Sequence, residues 1–149
     1  MSYTITARVY QTNTNAWFYV AEQKASSNDG SWAEVKGAHV LTVNSTGVCG
    51  SLLFRSNTNE NTNENTENFF VTLGVDNNKP WGDIVTNLPP SQTCGDITPQ
   101  YYSDQRRDRE QQREKHLTTY SVDNVSGRKF AFNYTVDNGK DLKVNIIIG

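Results

Sequence analysis

The sequence is sparing with residues on which specialised proteins depend: 149 residues hold two cysteines, one methionine, four prolines and two histidines. Cys49 and Cys94 cannot build a disulfide framework, and neither has a neighbouring Cys or a His pair at zinc-ligand spacing, so both read as structural free thiols. No metal and no cofactor is therefore expected. Of the histidines, His39 reads as a strand-end surface residue and His116 as the close of a helix, where its charge suits the dipole. A Gly-rich phosphate loop and a nucleophile-elbow serine are both lacking. The longest purely aliphatic run, residues 146–148, is far short of the roughly 20 residues a membrane helix needs. With a net charge of -2 there is no positive field of the kind that draws in nucleic acid or anionic membrane, and neither partner is expected. The N-terminus lacks the basic and apolar regions of a secretory signal, so the chain is expected in the cytosol, and the glycosylation-type triplets at Asn44, Asn124 and Asn133 read as accidental.

What is present favours strands. Only 35% of residues are hydrophobic, so apolar groups must lie on one face of each element, and 17 Asn with 16 Thr argue for strands and polar turns over a helical bundle. Residues 3–10 alternate Tyr3, Ile5, Ala7 and Val9 with Thr4, Thr6, Arg8 and Tyr10, the period of a half-buried strand. Further strands are predicted at 17–21, 40–43, 51–55, 69–75, 129–136 and 142–148. The last two flank Asn138-Gly139, a hairpin signal, which aligns Phe130, Phe132, Tyr134 and Val136 with Leu142, Val144, Ile146 and Ile148 on one core face. Asp29-Gly30 and Lys36-Gly37 mark further tight turns. Between Phe54 and Phe69 an Asn-Thr-Asn-Glu repeat without apolar residues reads as a mobile, expanded hairpin loop.

One helix is predicted, over 103–116, with Ser103 as N-cap and Lys115 and His116 in its last turn. It has no apolar face, so it must pack through Arg and Gln stems, anchored by Tyr101, Tyr102 and Leu117. Its five basic and four acidic residues read as a solvated, internally paired face rather than a nucleic-acid site. The layout predicts a single domain over 1–149, mainly β, with two sheets packed as a sandwich. Among groups able to do chemistry, Asp76 and Asp83 are the one pair open to a glycosidase reading, which requires a defined separation of two carboxylates.

Several segments, in order from first strand to last residue, resemble the fungal fruit-body lectin family: Arg8-Val9-Tyr10-Gln11-Thr12, Gly74-Val75 through Asn77 to Trp81, Asp83-Ile84-Val85-Thr86-Asn87-Leu88, Tyr101-Tyr102, Gly127-Arg128 before Phe130, and Asn145-Ile146-Ile147-Ile148-Gly149. The resemblance implies two antiparallel sheets joined by a helix-loop-helix, as in actinoporins, in a non-enzymatic homotetramer that binds glycans and glycoproteins. It places an N-acetylglucosamine site on Asp83, Ile84, Thr86, Arg107 and Tyr120. Arg107 follows from counting onward from Tyr102; two extra residues before Tyr120 leave Arg106 and Arg109 as alternatives for that position. A galactose or N-acetylgalactosamine site falls on Ser27, Thr46, Gly47, Asp76 and Asn77, with Asp76 standing where the family has a histidine and Thr46 where it has a serine. Asp76 and Asn77 still offer acceptors and donors for a sugar diol. The rival reading is a membrane-active, pore-forming protein of similar fold, which needs an amphipathic helix able to enter lipid.

Overall fold

The alternating segments become strands that run somewhat beyond the predicted bounds. In the computed structural model, which describes residues 2–13, 15–56 and 67–149, these are β1 (Tyr3–Gln11), β2 (Phe18–Ala25), β3 (Gly30–Val35), β4 (Ala38–Val43), β5 (Val48–Ser56), β6 (Asn68–Asp76), β7 (Lys79–Leu88), β8 (Thr119–Asp123), β9 (Lys129–Val136) and β10 (Asp141–Ile148). Between β7 and β8 the chain forms α1 (Cys94–Ile97), a 3-10 turn (Thr98–Tyr102) and α2 (Arg107–Glu114). The predicted expanded loop, residues 57–66 of the Asn-Thr-Asn-Glu repeat, lies outside the described residues.

Two sheets pack as the expected sandwich, one of six strands in the order β3-β4-β1-β10-β9-β8 and one of four in the order β2-β5-β6-β7. All pairings are antiparallel but one: β1 lies parallel to β10, matching Ile5 to Leu142, Ala7 to Val144 and Val9 to Ile146. The predicted hairpin forms between β9 and β10, with Gly139 at φ +80°. Its Phe130, Phe132, Tyr134, Leu142, Val144, Ile146 and Ile148 are buried, and only Val136, at the edge, is half exposed.

Burial distinguishes the sheets. Strands β9 and β10 alternate buried with exposed positions, as one-sided strands must, whereas β5 and β6 are buried almost throughout. The reason is a second apolar cluster on the outer face of the four-stranded sheet, where Cys49, Leu53, Phe70, Trp81 and Leu88 meet Cys94, Ile97 and Tyr101 of the helical excursion. A buried hydroxyl relay fastens this cover: Thr98 donates to Ser51 (3.0 Å), Ser51 to Thr72 (3.1 Å), and Thr72 to the Gly50 carbonyl (3.2 Å). Both cysteines are free and buried, as predicted, and burial together with the Glu22 charge pushes the Cys94 thiol up to about 12.

The helix is shorter than predicted. It begins after Arg106, not Ser103, whose side chain instead accepts from the Gln105 backbone N–H in a separate turn. None of its residues is buried, and it is held as a polar helix must be, through arginine stems. Arg109 lies over the Tyr101 ring at 5.8 Å and Arg113 over the Tyr102 ring at 4.8 Å, while Gln100 accepts from both Arg106 and Arg109. Among the described residues no helix is long and apolar enough to cross a membrane.

Candidate functional site

Asp83 lies in the middle of β7, paired across the sheet with Thr72, and is only 4% exposed. A carboxylate in such a place must be compensated. Tyr101 donates its phenol to Asp83 Oδ2 at 2.5 Å, and the Arg109 guanidinium stands 3.7 Å from the same oxygen. Burial nevertheless dominates and raises the Asp83 carboxyl above its ordinary value, against the opposing pull of Tyr101, the Ile84 backbone and Arg109. Tyr120, on β8 of the facing sheet, completes the group: its phenol is pushed up by partial burial and by the Asp83 charge, with Arg109 acting the other way. Carboxylate, guanidinium and phenol thus come from three elements that the chain separates widely.

The guanidinium is not the expected one. Arg107 is 70% exposed at its side chain and reaches only Glu110, at 3.6 Å. Arg106 is turned to Asp108 (2.9 Å) and Gln100. Arg109, 19% exposed, is the arginine brought to Asp83. Of the remaining expected residues, Ile84 has its side chain in the inter-sheet core and its backbone N–H on the Asp83 carboxylate, and Thr86 is half-buried with its hydroxyl accepting from Asn87 Nδ2. Counting along the sequence missed Tyr101 as the direct partner of Asp83.

The second set of residues collects at the other end of the same β6–β7 hairpin. Asn77 and Asn78 both take positive φ, +51° and +64°, forming the two-residue turn that Asp76 and Lys79 close. Beside it, Thr46 accepts from the Asn78 backbone N–H (3.1 Å), and the Gly47 N–H donates to the Val75 carbonyl (2.8 Å). Ser27 lies in the adjoining β2–β3 turn, which is tied to the β4–β5 turn by the Asn44 N–H on the Asp29 carbonyl. Ser27, Thr46, Gly47 and Asn77 are exposed there. Asp76 differs from expectation: its carboxylate is not open to solvent but engaged by His116 Nε2 at 2.7 Å and approached by Arg113 at 3.9 Å. His116 itself takes φ +50° just past the end of α2, so it closes the helix as expected while placing its imidazole on Asp76.

Asp76 and Asp83 are engaged separately: Asp83 is in register with Thr72, four residues from Asp76 along β6, so their backbones stand about 13 Å apart along the strand, and each carboxylate faces its own arginine.

Removing the Tyr101 hydroxyl isolates the consequences of burying Asp83. Because the folded protein holds the Asp83 proton more tightly than an unfolded chain does, the associated stability is full at low pH and is lost as pH rises through the raised folded value. Tyr101→Phe deletes a donor to the charged form and extends that loss to higher pH. The variant is expected to be about 2 kcal/mol less stable than the parent near neutrality, with a smaller gap in acid, read from urea midpoints at the two pH values.

A two-sheet sandwich whose polar clefts pair carboxylates with arginine, phenol and amide groups has the chemistry to grip sugar hydroxyls. The chain belongs to the fungal fruit body lectin family, whose family profile matches residues 1–146, and it is accordingly a carbohydrate-binding lectin. It is 39% identical over 150 residues to the Boletus edulis lectin, covering 99% of both chains. Its structure is similar to that of wild-type Xerocomus chrysenteron lectin, with a TM-score of 0.89, 40% identity and 100% of each chain covered. A variant of that lectin gives 0.90 at 39% identity, covering 100% of this chain and 99% of the other.

Proposed function

We propose that the protein binds terminal N-acetylglucosamine in the cleft of Asp83, Arg109 and Tyr120, and galactose-type sugars at the turn cluster of Ser27, Thr46, Gly47, Asp76 and Asn77, without catalysis. The observation that carries the first assignment is the buried Asp83 carboxylate with Tyr101 and Arg109 against it and Tyr120 beside it. An ion pair of this kind presents acceptors and donors already oriented, and charge-assisted hydrogen bonds to hydroxyls survive competition from water. The Ile84 backbone helps hold Asp83 in place, and the Thr86 hydroxyl is suited to an acetamido group. At the second cluster Asn77, Thr46 and Ser27 supply the exposed polar groups, while Asp76 acts from behind, fixed by His116. Shallow polar sites of this type bind weakly one at a time, so cross-linking of glycoproteins calls for several copies, and we assign the working form as a homotetramer.

A glycan array with the intact protein, its tetramer first verified by light scattering, tests this. Binding to glycans ending in N-acetylglucosamine is expected, with that signal lost in Asp83→Ala and galactose-type binding kept. A folded tetramer silent toward terminal N-acetylglucosamine would falsify the first assignment.

A further inference from the structure

At the opposite end of β6 from Asp76 lies a cleft of about 500 Å³, within the range of ligand pockets, lined by Asn13, Asn15, Glu67, Ser126, Arg128 and Lys129, with Gly149 at its edge. Its centre is an ion pair that has no part in the two sites above. Arg128, its side chain 9% exposed, donates from Nε to Glu67 Oε1 (3.0 Å), from Nη2 to Glu67 Oε2 (3.1 Å) and Asn15 Oδ1 (2.8 Å), and from Nη1 to the Gly149 carbonyl (2.6 Å), and it lies 5.4 Å over the Phe18 ring. Burial alone would raise the Glu67 carboxyl. Hydrogen bonds from Arg128, Ser126 and Asn124 outweigh it and hold the group below its ordinary range, so it is ionised at neutral pH.

The way these bonds are spent identifies the ligand class. Four N–H bonds of the guanidinium are already used within the protein, so Arg128 is a scaffold and not an anion receptor. What faces the cleft is amphoteric. Asn15 and Asn13 both use their side-chain oxygens internally, toward Arg128 and the Asn15 N–H, which turns two amide NH₂ groups outward as donors. Glu67 Oε2, contacted only by Arg128 among the described residues, retains acceptor capacity. Lys129 is exposed at the rim. Donors beside an ionised acceptor match a ring bearing hydroxyls, each of which both donates and accepts.

We propose that this cleft is a further saccharide-binding site, taking a neutral, hydroxyl-rich ring, with Asn13, Asn15 and Glu67 as its polar contacts. The ligand class rests on the cleft's own donors and acceptors, not on the assignments at Asp83 and Asp76. The turn cluster is also separate in space: Glu67 precedes β6 and Asp76 ends it, roughly 30 Å away along the strand.

Two-dimensional NMR of the ¹⁵N-labelled full chain tests the proposal, with galactose, mannose, glucose and N-acetylglucosamine titrated separately and sodium sulfate as the anionic probe. At least one sugar is expected to shift the Ser126 and Gly127 amides saturably, and sulfate is not. Asn15→Ala is expected to weaken that response about tenfold, with the amides around Asp83 and Tyr120 responding as in the parent. Should Asn15→Ala disturb Arg128, Asn13→Ala, at an exposed lining position free of the ion pair, is expected to weaken it several-fold. No saturable shift with any sugar, a response to sulfate alone, or a response indifferent to both substitutions overturns the site. Silence at Asp83 with a sugar response at Ser126 overturns the N-acetylglucosamine assignment and leaves this one standing.

Discussion

Arg109→Ala is expected to weaken N-acetylglucosamine binding about 30-fold to 100-fold, while Arg107→Ala leaves it within about twofold. The contrast follows from burial. Arg107 is 70% exposed and its one ion-pair partner is Glu110 on its own helix, so its loss removes a solvated charge. Arg109 is largely enclosed, stacked on Tyr101 and facing Asp83. Truncating one member of a buried charge pair leaves the other uncompensated and costs about 2–5 kcal/mol. Asp83, already raised by burial, would then favour its neutral form and lose its value as a strong acceptor for sugar hydroxyls. Arg109→Lys keeps the charge but not the planar fork that spans Gln100 and Asp83, and an intermediate loss is expected. Calorimetric titration of the folded variants reads these values. Loss of binding in Arg107→Ala with Arg109→Ala unaffected would move the site to the outer face of α2.

Counting onward from Tyr102 leads to Arg107, whereas Arg109, one of the alternatives, is the arginine beside Asp83. Two residues along a helix turn the side chain by about 200°, so Arg107 and Arg109 point to nearly opposite sides, and a count across a segment with two extra residues does not choose between them. The helix start is itself not legible, because Ser103 looks like a cap, yet its hydroxyl caps a turn that the helix does not continue. Tyr101 and His116 had no local signal either: each meets its carboxylate across the fold, 18 and 40 residues away along the chain.

The strands show the same division. Those with strict alternation and dense apolar content were legible, as was the β9–β10 hairpin. The three that were not, β3, β7 and β8, are all edge strands. An edge strand pairs on one side only and so tolerates residues a central strand rejects. β7 carries Pro80, Gly82, Asp83 and Asn87, and β3 is mostly exposed. Residues that make a segment look unlike a strand are, in β7, among those of the proposed site, since Asp83 is a poor strand former placed where Tyr101 and Arg109 can reach it. The parallel β1–β10 pair had no signal of its own either, because its registry is set by both sheet faces closing on one core.

Phe69→Ala is expected to destabilise the protein by about 3–5 kcal/mol, the largest effect of any single truncation considered. Phe69, on β6, is fully buried and stacked between Phe54 of its own sheet, at 4.6 Å, and Phe130 of the facing sheet, at 4.0 Å, with the edge of Phe18 at 5.6 Å. Its ring is thus a point at which the two sheets touch through aromatic surface, beside the edge-on contact of Phe18 with Phe130 at 5.8 Å. Alanine there leaves a void that neither sheet can close, because backbone pairing fixes β5 and β6 on one side and β9 on the other. Against a total of about 5–15 kcal/mol for a domain, such a loss is about a fifth or more of the stability. The urea midpoint should fall with little change in slope, and the thermal midpoint by about 10 °C. Val125→Ala, at a side chain 90% exposed, is the control and should change neither. Since the hairpin that bears Asp83 and Asp76 extends from this stack, Phe69→Ala should bind sugar normally while folded and lose binding on warming at its own lowered midpoint. A loss of under about 1 kcal/mol would mean that the sheets are held together elsewhere than at the phenylalanine stack.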